Sequence, residues 1–319
     1  MAERNIGLPI FTAGHAISDG RESLQTSQPV FFQSKSELFK DLVGSSPIEL
    51  FHDLRGIQRD FWKAAHEYRD LLIDPIYDGR GVPKGDGSTV VVMGGFGSIG
   101  INYYETVRTL RKIGYNAVTP PWGVNIKPIN EMAKSLMPFV RSEKIKSGKK
   151  VKFIGHSLGG FDGAAMFAQA PDEFVDYVDH VVFDASPRPT SVNKAIAFAY
   201  LVTQWFESDN EFDIVKKIDL LNKMEAAKQL KVTSVDSSSD PIIKGQFMGK
   251  REHFVIEGAS HTALGLNANF LKAVAYSFAG EEMDLEKFPN IKKITLVEKN
   301  KSSIAKLEQS TVPQYIYTH

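Results

Sequence analysis

From residue 89 onward, short apolar runs rich in β-branched residues alternate with longer stretches of helical periodicity. Several of these runs are apolar without alternation, which is typical of strands that are covered on both faces. Such an alternation predicts βα units around a mostly parallel sheet. The predicted strands are residues 89–95, 116–120, 151–157, 180–186, 231–237 and 253–260.

The helices that the pattern predicts lie both between these strands and ahead of them. Apolar residues three and four apart predict one helix from Tyr104 to Ile113 and another from Ile129 to Val140, with Pro138 as a candidate kink in the second. A further stripe predicts a long amphipathic helix ahead of the first strand. It is formed by Phe51, Leu54, Ile57, Phe61, Ala65 and Tyr68.

A change in texture near residue 89 divides the chain, which has no internal repeat and no low-complexity tract. Residues 1–88 are expected to form an extension packed on the core, or its early antiparallel strands and a helix. Residues 89–280 are expected to form the α/β core, with an insertion at about 187–230. Residues 281–319 are expected to form a tail of the same domain that contains a candidate strand, IKKITLV.

Composition narrows the classes of partner. Among 319 residues, 38 Lys and Arg balance 38 Asp and Glu, so no overall positive field favours nucleic acid or an anionic membrane. The absence of cysteine excludes disulfides, cysteine nucleophiles and thiolate metal sites. No apolar stretch approaches the roughly 20 residues of a membrane span, and the start of the chain makes a poor secretory signal. We therefore expect no integral membrane segment and a cytoplasmic protein, or a secreted one if the chain is a mature form.

The stretch VKFIGHSLGGFDGAAM carries the strongest chemical signal. Gly155, Ser157 and Gly159 form G-x-S-x-G between a predicted strand and a helix rich in small residues. Such a turn is so sharp that it pushes the serine hydroxyl out at the carboxyl end of the strand. Ser157 is therefore a candidate nucleophile, and the alternative is a serine that only caps the helix.

These residues resemble the elbow of the α/β-hydrolase superfamily, most closely its lipases and esterases, over about residues 89–279. The resemblance implies that an acid and then a histidine follow the serine along the chain. The histidine would be the base that removes the proton of the serine as it attacks. His261 follows the last predicted strand, where the family's histidine would stand, although it could be a surface loop histidine. His180 and His253 begin their strands at the opposite end of the sheet, and His319 ends the chain.

The acid has three candidates, of which Asp240 is favoured. Asp240, in KVTSVDSSSDPIIK, resembles the acid of the family's loop after the penultimate strand, with the alternative that it only caps the turn before Pro241. Asp236 lies four residues earlier, and Asp184 follows the preceding strand, from which some lipases take their acid. The acid would hold the imidazole of His261 in the correct tautomer.

The glycines of MGGFGSIG resemble the family's oxyanion loop, although Gly94 stands where that loop often has histidine. The resemblance implies that the amides of Leu158 and Phe96 form the oxyanion hole, with Gly95 beside them. Trp122 is a candidate for the acyl pocket, with core packing as the alternative.

The same loop also matches a dinucleotide motif, G-x-G-x-x-G, formed by Gly95, Gly97 and Gly100. No carboxylate follows about 20 residues later, in NAVTPPWG, where a ribose would need one. We therefore expect no cofactor, and in the absence of a ligand motif no metal.

Together the residues predict an α/β-hydrolase fold with a helical cap or lid insertion, and a serine carboxylic ester hydrolase that forms an acyl-enzyme. Small-molecule or lipid-like esters are the expected substrates, partly because residues 196–206 of the insertion are apolar on nearly every face. That segment could be an acyl-binding lid or a core helix. An acyltransferase, a thioesterase or an intracellular polyester depolymerase would use the same residues, and a non-catalytic binding scaffold is a further alternative.

Overall fold

The architecture is known from a computed structural model that describes residues 47–186, 229–242 and 252–294. Within these ranges, seven strands form one sheet in the order β2-β1-β3-β4-β5-β6-β7. Every neighbouring pair is parallel except β6 and β7, which are antiparallel. The strands are β1 Thr89–Met93, β2 Asn116–Val118, β3 Val151–His156, β4 Val178–Asp184, β5 Lys231–Ser237, β6 Glu252–Ile256 and β7 Ile291–Ile294.

The described helices cover both faces of this sheet. They are α1 Pro47–Ile73, α2 Tyr104–Ile113, α3 Ile129–Ser147, α4 Leu158–Gln169, α5 Pro171–Tyr177 and α6 Ala268–Ala279. One apolar core contains side chains from α2 and α6, and a second contains side chains from α3, α4 and α5. In β1, Val90 and Val92 belong to the first core, whereas Val91 and Met93 belong to the second. Apolar runs without alternation therefore form strands that are buried on both faces, as predicted.

The α/β-hydrolase fold class predicted from the sequence is confirmed by this mostly parallel sheet with helices on both faces. The cap predicted at 187–230 lies outside the described residues, apart from residues 229 and 230. All described residues belong to one unit of the chain, Pro29–Thr295. No helix of the described ranges is both long enough and apolar enough to cross a membrane.

The strand ends differ from the prediction where the backbone turns. β3 and β4 end one or two residues early, because Ser157 and Ala185 have positive φ angles of 51° and 43°. β6 ends at Ile256 rather than at Ser260, because Gly258 adopts a left-handed φ of 70°. The candidate strand of the tail is present as β7.

Helix α1 is present as predicted, and two aromatic residues of its apolar stripe are exposed. Phe61 is 61% exposed and Tyr68 is 37% exposed. The inward face carries Asp60, which is 1% exposed, and Leu71, which is fully buried. Between Pro47 and Ser88 the described chain has this helix and a 3₁₀ turn, without a strand.

The predicted helices between the strands are present as α2 and α3. Pro138 lies inside α3, which continues to Ser147. Both helices end at a glycine in the left-handed region, Gly114 after α2 and Gly148 after α3. A left-handed residue directly after a helix is common and is most often glycine, since it avoids the penalty of a Cβ.

Candidate active site

Ser157 lies at the turn between β3 and α4, with φ 51° and ψ −120°. A positive φ in a residue other than glycine is strained and costs about 1–3 kcal/mol. The turn is held on both sides, because the amide of Ser157 donates to the Asp184 carbonyl at 2.8 Å and the amide of Gly160 donates to the Ser157 carbonyl at 3.1 Å. The side chain therefore lies at the carboxyl end of a central strand in a fixed orientation.

The two glycines of the motif are required by close packing at this turn. A Cβ on Gly155 would lie 2.5 Å from the Cα of Gly160, and one on Gly159 would lie 2.5 Å from the Met93 carbonyl oxygen. Both distances are shorter than any ordinary contact between such atoms. Helix α4 can follow β3 directly because neither position has a side chain.

His261 lies in the loop after β6 and connects the serine to an acid. Its Nε2 is 3.1 Å from the Oγ of Ser157, and its Nδ1 is 2.7 Å from Oδ2 of Asp240. A carboxylate only accepts, so Nδ1 carries the proton and Nε2 is left to accept from the serine hydroxyl. The side chains of His261 and Asp240 are each 5% exposed. The three residues singled out in the sequence thus lie in one hydrogen-bonded line.

Asp240 also caps the turn at Pro241, which was the alternative role considered for it. Its Oδ1 accepts from the amide of Ile242 at 2.7 Å, across Pro241. One oxygen therefore orders the acid's own loop while the other faces His261.

The two competing aspartates are paired with different histidines. Asp236 Oδ2 is 2.8 Å from Nε2 of His253. Asp184 Oδ2 is 3.1 Å from Nδ1 of His156, directly before the serine. The structure thus brings Asp240, and neither Asp236 nor Asp184, into contact with His261.

The pairing of His156 with Asp184 was not predicted from the sequence, which assigned His156 no role beyond its place in the G-x-S-x-G motif. Burial of the His156 ring disfavours its charged form, but the carboxylates of Asp184, Asp240 and Asp60 outweigh burial and raise its pKa. The rings of His156 and His261 are 5.0 Å apart. A second histidine with an increased tendency to carry positive charge thus lies behind the candidate nucleophile.

The predicted oxyanion loop forms a tight turn against Ser157. The amide and the hydroxyl of Ser98 both donate to the Gly95 carbonyl, at 3.1 Å and 2.7 Å, and Gly97 has φ 71°. Gly95 is packed so closely that an added Cβ would lie 2.9 Å from the Cβ of Ser157. Phe96 follows in the turn and packs partly buried against the second core.

The other predicted donor is the amide of Leu158. Leu158 is the first residue of α4 and is 5% exposed. The first amides of a helix have no acceptor within it, so they are available to an anion at this end. The turn at Gly95 thus packs against Ser157, and this helix start follows Ser157 directly.

Asn125, in the loop after β2, holds the predicted oxyanion loop and was not singled out in the sequence. Its Nδ2 donates to the Gly94 carbonyl and to Oδ2 of Asp162, both at 2.8 Å. Its backbone accepts from the amide of Gly97 at 2.8 Å and donates to the carbonyl of Ser98 at 2.9 Å. One residue in the sequence could have indicated this contact: Asp162 is a carboxylate among the small and apolar residues of GGFDGAAM, so it needs a polar partner.

Trp122 has the packing role that was one of its two predicted alternatives, and its place in an acyl pocket stays a prediction. Its ring packs edge-on against Phe139 at 5.6 Å and contacts the second core. It also lines a small pocket with Gly94 and Asn125.

Two glycines of the dinucleotide motif have packing roles in the described structure. Gly95 lies against Ser157, and a Cβ on Gly100 would lie 2.9 Å from Oγ1 of Thr119. Close packing thus accounts for two of the three glycines of the motif. Among the described residues, no group of three or more potential ligands is arranged to hold a metal ion.

Helix α1 contributes two carboxylates to the loop that carries His261, and the sequence had no local signal for this. Asp60 Oδ1 accepts from the amide of His261 at 2.7 Å, and its Oδ2 accepts from the amide and hydroxyl of Thr262, both at 2.8 Å. Glu67 accepts from the amide of Ser260 at 2.6 Å and from its hydroxyl at 2.5 Å. Burial raises the pKa of Glu67, although the hydrogen bonds from Ser260 oppose this effect.

Known proteins resemble this chain only distantly. No family model matches the chain. Norfluorocurarine synthase 1 from Strychnos sp is 32% identical over 93 residues, which are 28% of this chain and 34% of that protein. The matched region therefore spans about a third of the length of this curated relative.

Solved structures that resemble the chain include hydrolases from three organisms. Aspergillus fumigatus lipase B is 10% identical, with a TM-score of 0.44 over 64% of this chain and 57% of that one. A monoacylglycerol lipase from Paleococcus ferrophilus is 15% identical, with a TM-score of 0.43 over 63% and 97%. An extracellular α/β-hydrolase from a Paenibacillus species is 16% identical, with a TM-score of 0.41 over 62% and 100%. Because these likenesses are distant, the fold assignment rests on the sheet and its two helical layers.

Proposed function

We propose that this protein is a serine hydrolase that cleaves carboxylic esters through an acyl-enzyme intermediate. The observation that carries the proposal is the line of contacts from Ser157 Oγ through His261 to Asp240, with distances of 3.1 Å and 2.7 Å. A strained turn at the end of a central strand supports it, because this geometry exposes and orients a nucleophile.

The first half of the reaction transfers the acyl group to Ser157. As Oγ bonds to the ester carbonyl carbon, its proton moves to Nε2 of His261, and Asp240 stabilises the imidazolium that forms. The carbonyl oxygen becomes an oxyanion, which the amides of Leu158 and Phe96 would stabilise. The bond from carbon to the alkoxy oxygen then breaks, and His261 returns its proton to the departing alcohol.

The second half releases the acid by the same steps with water. His261 takes a proton from water as its oxygen bonds to the acyl carbon, and the bond to Ser157 Oγ breaks as that oxygen regains a proton. All atoms are supplied by ester, water and these side chains, so no cofactor takes part. Lipid-like or other small esters are the proposed substrates, with Gly95 and Trp122 beside the acyl group.

The test is hydrolysis of p-nitrophenyl esters of increasing acyl length, together with labelling by a fluorophosphonate. We expect labelling at Ser157 and loss of about 10⁴–10⁶-fold in kcat for Ser157→Ala. A protein that neither cleaves any ester nor takes the label at Ser157 would contradict the proposal and favour a binding scaffold. Faster product formation with an added alcohol or a thioester substrate would instead indicate an acyltransferase or a thioesterase.

The acid is tested with three matched variants, since each aspartate faces its own histidine. Asp240→Asn is expected to lower kcat about 10³–10⁴-fold, because an amide can favour the wrong tautomer of His261. Asp236→Asn leaves that contact intact and is expected to stay near the wild-type kcat. A loss with Asp236→Asn or Asp184→Asn that equals the loss with Asp240→Asn would overturn the assignment.

A further inference from the structure

The inward face of α1 is polar where a helix that only packs on a core would be apolar. Asp60 and Glu67 are seven residues apart and therefore share one face of the helix. Asp60 is 1% exposed, and in the described part of the chain it has no ion pair with a lysine or arginine. Burial of a carboxylate without a cation is unfavourable unless its hydrogen bonds compensate, so this face is costly for packing alone.

Five of the hydrogen bonds that compensate go to one short segment of the chain, residues 260–262. The amides of Ser260, His261 and Thr262 point at the two carboxylates, and the hydroxyls of Ser260 and Thr262 do so as well. Three consecutive loop amides are thus satisfied by α1. The segment is therefore fixed on both sides of His261, whose Nε2 must stay within hydrogen-bond reach of Ser157.

The same helix also contacts the loop that carries the acid. Lys63 Nζ donates to the Oγ of Ser239 at 2.8 Å, immediately before Asp240. A Cβ added to Gly56 would lie 3.2 Å from the Cβ of Pro241, immediately after it. Helix α1 therefore contacts both loops whose side chains meet at His261 Nδ1.

We infer that Asp60 and Glu67 are positioning residues for His261, and that α1 belongs to the active site rather than being an accessory extension. The inference rests on the proposed function, because it assigns α1 a part in the same reaction. Asp60 holds the amides of His261 and Thr262, and Glu67 holds Ser260, so the imidazole cannot move away from Ser157. The negative charge of Asp60 also lies close to the imidazolium that forms during proton transfer.

The kinetic test compares Asp60→Asn and Asp60→Ala with the matched control Asp70→Asn. Asp70 is on the same helix, but its exposed side chain bonds to Arg69 and not to the loops. We expect Asp60→Asn to lower kcat about 10-fold and Asp60→Ala about 100-fold, since a shift of about 1 Å costs about 100-fold. KM is expected to stay within about threefold, because neither variant touches the substrate. Asp70→Asn is expected to match the wild type.

A second readout does not depend on activity. A proton held between His261 Nδ1 and Asp240 gives a low-field proton NMR signal, which His261→Gln assigns by removing it. We expect this signal in the wild type and in Asp70→Asn, and its broadening or loss in Asp60→Ala, because a mobile loop exchanges the proton with water. If Asp60→Ala fails to fold, the isosteric Asp60→Asn carries the comparison.

The outcomes separate the two proposals. A wild type that shows the low-field signal but has no esterase activity and no label at Ser157 refutes the proposed function, while the NMR comparison still tests the positioning role. Folded Asp60 variants with an unchanged low-field signal and unchanged kcat would overturn the inference about α1, even if the protein is a fully active hydrolase.

Discussion

Gly95 offers the sharpest steric test of the site. An added Cβ would lie 2.9 Å from the Cβ of Ser157 and 3.2 Å from Cδ2 of His156. Gly95 does not have a left-handed φ, so Gly95→Ala adds a methyl group without backbone strain. The effect of the substitution is therefore the effect of this overlap alone.

The size of the effect follows from what can move. Two carbon atoms pack at about 3.5–4.0 Å, so the methyl group overlaps Ser157 by about 0.6–1 Å. Ser157 cannot yield easily, because its backbone is strained and its amide is bonded to Asp184 at 2.8 Å. Either the turn at Gly95 or Ser157 itself must shift by that distance. We expect kcat to fall about 10- to 100-fold and the free energy of unfolding to fall by about 1–3 kcal/mol.

The assay is the rate of fluorophosphonate labelling and of p-nitrophenyl ester hydrolysis, with urea unfolding in parallel. Gly123→Ala is the matched control, because a Cβ there meets no atom within 4 Å. It is expected to stay within about twofold of the wild type, as is usual for an unobstructed surface change. If Gly95→Ala labels and turns over as fast as Gly123→Ala, the packing of the oxyanion turn against Ser157 is not the geometry that reacts.

Two further predictions concern the polar groups around the sheet. Burial, with two nearby lysines, holds the pKa of His180 well below its ordinary 6.5. Below pH 6.5 the unfolded chain therefore takes up a proton at this histidine while the folded protein does not, so stability is lost as the pH falls. Between about pH 6.5 and pH 5.5, urea unfolding should show a steeper loss for the wild type than for His180→Gln, by up to about 1.4 kcal/mol per pH unit, and parallel curves would refute this. Asn125→Ala removes the donor shared by the Gly94 carbonyl and Asp162, so we expect thermal and urea unfolding to show a loss of about 1–3 kcal/mol and kcat to fall as well. Unchanged unfolding in this variant would contradict the role of Asn125 as a support of the turn.

The sheet could be predicted from the sequence because burial on both faces leaves a visible pattern. β5 is present with the predicted bounds, and TVVVM forms β1 without alternation. The ends were less predictable, since they depend on single φ angles such as those of Ser157 and Ala185. The spacing G-x-S-x-G predicts a sharp turn at Ser157, but nothing in the local sequence predicts the positive φ of Ala185, which is not a glycine.

Part of the candidate site could also be predicted from the sequence. Ser157, Asp240 and His261 each follow a strand, in the order that the resemblance implies, and their side chains lie in one hydrogen-bonded line. Asp60 could not be predicted, because a carboxylate on a helix usually faces water. The pairings of Asp236 with His253 and of Asp184 with His156 are tertiary contacts between strands, which no spacing along the chain specifies.

The contact between Asp60 and the loop of His261 also has a consequence for folding. The two residues are 201 positions apart, so the contact closes one of the longest loops that a hydrogen bond closes among the described residues. Contacts of such high sequence separation are slow to gain, because their entropy is lost before they contribute energy. The parallel strands can therefore pair while the histidine loop is still unanchored. We therefore expect a newly made chain to form its sheet before the contacts of Asp60 fix the loop of His261. The candidate site would be completed only by these late contacts.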